Sequence, residues 1–145
     1  MWPLAVTAVA VVAATVAAAF PPEVGRALET SSYLYVATRR ADGTPSTVVP
    51  VWFSWDGAAI TFTTSPTSHK ARRIAKGSPL LVWVGSKDGP HFEARAELVR
   101  DPELAARMGE AYRRKYWVAW LGFFCPSAER LRAGKIVIVR IRPPA

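Results

Sequence analysis

Residues 36–74 read VATRRADGTPSTVVPVWFSWDGAAITFTTSPTSHKARRI. Residues 33–39 are a run of β-formers, and Ala41-Asp42-Gly43-Thr44-Pro45 follows at once. Asp-Gly supplies the positive-φ geometry of a tight hairpin, so this run predicts a strand and a turn. Residues 46–55 predict a second strand, Asp56-Gly57 a second turn and residues 58–64 a third strand, which together make a meander. Residues 68–76 then predict a helix with Ala71, Ile74 and Ala75 on its buried face.

Outward from this stretch, residues 23–30 predict a short helix and residues 79–84 a strand. Lys87-Asp88-Gly89-Pro90 is a turn, and residues 91–100 alternate as a strand does. Asp101-Pro102 is an N-cap with proline at the first helical position. Leu104, Met108, Tyr112 and Tyr116 recur every fourth residue, so the helix should run to about Trp117. An aromatic-rich connector over 117–125, a short helix over 126–132 and a buried strand over 136–141 complete the chain. Strands come first and then mix with helices. This order predicts a mainly β, antiparallel barrel with peripheral helices rather than a βαβ sheet.

Residues 1–20 contain no charged side chain. As a helix they would span about 30 Å, the thickness of a bilayer core. Trp2 and Phe20 stand at the ends, and Pro21-Pro22 would stop the helix. An N-terminal hydrophobic helix over 1–20, acting as a single-pass membrane anchor, is therefore expected ahead of a domain over 22–142. Arg26, Arg39 and Arg40 follow the segment, which places that domain on the cytoplasmic face. A cleaved signal ending near Ala17-Ala18-Ala19 is the weaker alternative, because no Lys or Arg precedes the apolar run. An Ala-rich leader on a soluble protein is the other.

The 145 residues suffice for one domain, and half of them are hydrophobic, so a core can form. The single cysteine, Cys125, excludes an intrachain disulfide and suits a reducing compartment. The net charge of +8 admits nucleic acid, an anionic membrane surface or a phosphorylated ligand as partner. The basic residues form only small clusters, Arg39-Arg40, Lys70 to Lys76 and Arg113 to Lys115. With no helix-turn-helix or aromatic RNA-binding signature, nucleic acid ranks last. His69 and His91 stand apart from any cluster of metal-ligand type. Neither a nucleophile elbow nor a Gly-rich phosphate loop after a strand is present.

Two constellations could carry chemistry. In Thr63-Thr64-Ser65-Pro66-Thr67-Ser68-His69-Lys70 a strand end rich in hydroxyls leads straight into a helix start. Free N–H groups, hydroxyls and the Lys70 ammonium would converge there as an anion site, and phosphate is its natural occupant. Arg73 lies on the same helix face and could add charge. A capped helix with solvated cations would show the same residues. The second constellation is Val48-Val49-Pro50-Val51-Trp52-Phe53, an extended run whose proline places it at an edge or bend. Such a flat apolar strip suits a planar ring, although barrel core reads the same way.

In order and spacing, Val36-Ala37-Thr38, Asp42-Gly43-Thr44-Pro45, Pro50-Val51-Trp52-Phe53, Trp55-Asp56-Gly57, Phe62-Thr63-Thr64, Ser68-x-Lys70-Ala71-Arg72 and Phe92 to Leu98 resemble a known family. It is the pyridoxamine-phosphate-oxidase-like, flavin-binding split-barrel family, which includes flavin mononucleotide (FMN) and deazaflavin (F-420) dependent reductases. The resemblance covers roughly residues 22–142. It implies a Greek-key-like split β-barrel, a homodimer with the cofactor between subunits, and oxidoreductase chemistry on a small-molecule substrate. It implies that Val49, Pro50, Val51 and Trp52 contact the ring. Thr63, Thr64, Ser65, Ser68 and Lys70 would hold the phosphate. Trp117, Trp120, Phe123 and Phe124 would cover the pocket, form the dimer contact or simply pack as core. No acid or base residue is implied.

Two departures from the family pattern matter. The basic residue expected before the flavin strand is Thr47 or Val48 here. The basic C-terminal segment that binds pyridoxal phosphate in true oxidases has no counterpart, which argues against vitamin B6 oxidation. Some relatives bind haem, biliverdin or nothing, so a non-catalytic flavin, deazaflavin or haem binder is the alternative.

Overall fold

The computed structural model describes residues 3, 5, 8–10, 19–121 and 125–143. The chain runs α1 (Pro22–Thr30), β1 (Leu34–Thr38), β2 (Val49–Val51), β3 (Ser54–Trp55), β4 (Ile60–Thr64), α2 (His69–Ala75), β5 (Leu80–Val84), β6 (His91–Ala94) and β7 (Ala96–Val99). There follow α3 (Pro102–Lys115), a 3-10 turn (Trp117–Leu121), α4 (Ala128–Arg132) and β8 (Val137–Ile141). The strands form two four-stranded sheets, in the orders β2-β1-β5-β6 and β3-β4-β8-β7, with every pairing antiparallel.

The edge strands of one sheet continue into the edge strands of the other. β2 passes into β3 through Trp52-Phe53, and β6 into β7 through Arg95. Both joints are corners at which a strand leaves one ladder for the other, so the two sheets wrap one core as a barrel. This corrects two sequence expectations. The single strands expected over 46–55 and 91–100 are each two strands, and the meander is divided between sheets. β1 pairs with β2 and β5, whereas β4 pairs with β3 and β8. Residues 46–48 stand outside the ladder because Ser46 takes over its pairing with Thr38. The Ser46 hydroxyl accepts from the Thr38 amide at 2.9 Å, and the Ser46 amide donates to the Thr38 carbonyl at 2.7 Å.

Alternation along the strands fills the barrel. Leu34, Val36, Leu80, Val82, Val84, Ile60, Phe62, Val139 and Ile141 point inward and are buried. α1 closes one side with Val24 and Leu28, and α2 closes another with Ala71 and Ile74. Ala75, expected on the buried face of α2, is exposed. β8 is buried on both faces: Val139 looks into the barrel, while Ile138 packs beneath α3 with Met108, Tyr112 and Tyr116. That explains its unbroken apolar run.

Pro3, Ala5, residues 8–10, Ala19 and Phe20 carry no helix. Among the described residues no helix is long and apolar enough to cross a membrane. The remainder of the expected N-terminal helix lies outside the described residues, as do Phe123 and Phe124. Phe20 itself packs on the barrel, with its ring 5.1 Å from Phe92 and 5.6 Å from Trp55 between centroids.

Candidate functional site

β4 ends where hydroxyls begin to bond one another. Thr64 Oγ1 and Ser68 Oγ are 3.0 Å apart, as are Ser65 Oγ and Thr67 Oγ1. Ser68 is the N-cap of α2 and accepts from the Ala71 amide at 3.1 Å. α2 is only seven residues long, so it offers little dipole, and its capping hydroxyl is already engaged. The helix N-terminus therefore has little of its own to offer an anion. The positive charge comes instead from side chains.

Those side chains line a recess of about 370 Å³ made by Thr38, Arg40, Ser46, Thr47, Val49, Ser68, His69, Lys70 and Arg73. Burial pushes the Lys70 ammonium below its ordinary pKa of 10.5. Its Nζ lies 6.0 Å from the centroid of the Phe62 ring. Arg73 Nη1 donates to Thr38 Oγ1 at 3.2 Å, which fixes the guanidinium at the recess wall. No acidic residue lines this space. Among the described residues the ion pairs are Arg39–Glu93, Arg140–Glu97 and Arg142–Glu97, so Lys70 and Arg73 have no carboxylate partner there. A second basic recess, with Arg39, Arg72, Lys76 and Ser78, shares Arg40, His69 and Arg73 with the first.

An aromatic recess of about 460 Å³ adjoins the Lys70 recess, lined by Val51, Trp52, Thr63, Thr64, Ser65, Tyr112, Cys125, Pro126, Arg130, Lys135 and Ile136. Trp52 stacks on Tyr116 at 4.3 Å between centroids and 5° between planes, and Tyr112 meets it edge-on at 5.9 Å. The Tyr112 hydroxyl donates to the Trp52 carbonyl at 3.0 Å. The Tyr116 hydroxyl accepts from the Phe53 amide at 3.1 Å and donates to the Ser32 carbonyl at 2.6 Å. Burial raises the Tyr112 phenol well above 10 and that of Tyr116 to about 12, so both stay protonated donors at neutral pH.

The two recesses meet along β2 and the β4–α2 junction. Val49 lines one and Val51 the other, two residues apart and so on one face of the strand. Thr64 and Ser68, hydrogen-bonded to each other, do the same on the opposite wall. Of the residues singled out from sequence, Val49, Ser68, Lys70 and Arg73 line the cationic recess. Val51, Trp52, Thr63, Thr64 and Ser65 line the aromatic one. Pro50 lines neither; it is exposed on the other face of β2.

Sequence reasoning missed Thr38, Ser46, Tyr112, Tyr116, Arg130 and Lys135. The two tyrosines read as the core stripe of α3. Arg130 lies within a short helix far along the chain and Lys135 just after it, where charges ordinarily read as solvated. Trp117 is exposed on the 3-10 turn.

The pyridoxamine 5′-phosphate oxidase family profile matches residues 20–143. No curated protein matches the chain. Among solved structures, an F-420 reductase shares 29% identity over 87% of this chain and 97% of its own, with a TM-score of 0.57. The conserved hypothetical protein Rv2991 from Mycobacterium tuberculosis shares 22% over 88% of this chain and 83% of its own, with a TM-score of 0.60. HutZ, a haem storage protein from Vibrio cholerae, shares 17% over 88% of this chain and 92% of its own, with a TM-score of 0.59, a likeness of fold alone. With a profile match that spans the whole barrel and the paired sheets described above, this chain belongs to the pyridoxamine 5′-phosphate oxidase family.

Proposed function

We propose that this protein is an oxidoreductase that uses FMN or the deazaflavin F-420 on a small-molecule substrate, as a homodimer. The observation that carries the reading is the pair of adjoining recesses: one holds Arg40, Lys70 and Arg73 without a carboxylate, and the other is walled by Trp52 and Tyr112, with Tyr116 stacked on Trp52. A phosphate fits the first by charge and by the hydroxyls of Thr38, Ser46 and Ser68. A planar ring fits the second against Val51 and Trp52. The bound flavin or deazaflavin would supply the redox chemistry. The chain's own work is capture by Lys70 and Arg73, orientation of the ring along β2, and exclusion of water by Trp52 and Tyr112. The 29% identity with an F-420 reductase favours the deazaflavin among the two cofactors.

Lys70→Ala removes a charge-assisted contact of about 1.5–3 kcal/mol, roughly tenfold or more in affinity. Titration of the variant with FMN and with F-420 should show that loss for one of them. Unchanged affinity for both would contradict the site. A non-catalytic binder of flavin, deazaflavin or haem is the alternative function, and steady-state turnover of the reduced cofactor with an electron acceptor separates the two.

A further inference from the structure

Arg130 lies outside the Lys70 recess, and α4 delivers it to the wall of the aromatic recess. It sits there with Lys135, Thr63, Thr64 and Ser65. Its backbone amide donates to the N-cap hydroxyl of Ser127 at 3.1 Å, which anchors the helix beneath it. Its side-chain Nε is buried and has no hydrogen-bond partner among the described residues. No carboxylate among them pairs with the guanidinium. A buried charged donor left without an acceptor is costly, and such a group ordinarily has a partner in the protein, in ordered water or in a bound ion.

The rest of the recess defines what such a group should look like. Trp52, backed by Tyr116 at 4.3 Å, gives a flat wall, and Val51, Pro126 and Ile136 give apolar ones. Thr63, Thr64 and Ser65 add hydroxyls. The guanidinium presents its N–H groups in a planar fork that matches a carboxylate. One buried guanidinium donor and one exposed ammonium suit a monoanion better than a phosphate dianion. The recess volume of about 460 Å³ is of the size that holds small organic ligands.

We propose that Arg130 and Lys135 form a second anion subsite, separate from the Lys70 recess, that selects planar conjugated carboxylic acids. Their role as substrates rests on the oxidoreductase reading; their binding does not. The acid's carboxylate lies on the Arg130 fork and its conjugated skeleton against Pro126 and Ile136, which leaves Val51 and Trp52 to the cofactor ring.

The test is calorimetric titration of the full-length protein, with whatever cofactor it carries, using cinnamate and its neutral isostere cinnamamide. Cinnamate should bind at least tenfold more tightly. The preference should fall below threefold in Arg130→Met, weaken in Lys135→Met and persist in Lys70→Ala. Equal affinity for acid and amide in the unmodified protein would overturn the proposal, as would displacement of cinnamate by inorganic phosphate. If Arg130→Met does not fold, the exposed Lys135→Met decides: an undiminished preference there overturns it. Retained acid preference together with cofactor binding indifferent to Lys70→Ala would sink the proposed function and leave this subsite standing.

Discussion

Tyr116 shows how much one side chain at the end of a helix can fix. α3 stops at Lys115, and Tyr116 takes an extended backbone with φ −121°. Its ring therefore stacks on Trp52 while its hydroxyl satisfies the Phe53 amide at the corner between β2 and β3. Tyr116→Phe leaves that buried N–H without an acceptor. It should lower unfolding stability by about 1–3 kcal/mol, read as a reduced denaturant midpoint at unchanged m-value. Lys115, one residue earlier, donates to the Phe53 carbonyl at 3.2 Å and lies 3.2 Å from the Phe53 ring centroid. Burial pulls its pKa from 10.5 to about 8. The folded state therefore releases this proton before the unfolded chain does. Its contribution to stability should rise with pH between about 8 and 10.5. Urea unfolding across that window should show the rise in the native protein and a flatter profile in Lys115→Met; a steeper one would contradict the assignment.

Individual elements were legible in the sequence wherever a residue type forces a local geometry. Gly43 and Gly57 take φ of 84° and 91° in the two turns read from Asp-Gly. The Asp56 carboxylate accepts from the amides of Ala58 and Ala59 to hold the second turn. Asp101 and Ser68 cap their helices as their positions required. The corner at Arg95 was not legible, and that at Trp52-Phe53 only as the edge or bend that Pro50 marks. The β-forming pattern continues across both bends, and a local pattern does not record which sheet a strand joins. The aromatic recess was half-visible for the same reason: β2 announced itself, while the α3 and α4 side chains that complete it look like core stripe and solvated charge. Helix placement itself has a sequence cause at Gly109, where α3 passes against the chain at Cys125 and Pro126. A Cβ there would collide with the Pro126 carbonyl oxygen. Gly109→Ala would elsewhere favour a helix by about 1 kcal/mol. Here overpacking should outweigh that gain, at about 1–3 kcal/mol. A lowered melting temperature is the expected result, and a raised one would show that the contact yields easily.

At the scale of the whole molecule, two sheets joined at their edges leave a groove along β2 with cations at one end and aromatic rings at the other. Most of the 19 Lys and Arg side chains stand outside the ion pairs, which among the described residues engage only Arg39, Arg140 and Arg142. Arg40, Arg72, Arg73 and Lys76 gather beside the Lys70 recess, where their field would draw an anionic ligand toward the site. The exposed ion pairs contribute little to stability, which rests on the barrel core and on the α3 cluster. The most direct test of the account is a crystal structure of the protein with its cofactor bound. A phosphate oxygen should lie within about 3 Å of Lys70 Nζ, with the ring along Val51 beside Trp52. A phosphate seated instead on Arg130, or a ring remote from β2, would contradict it.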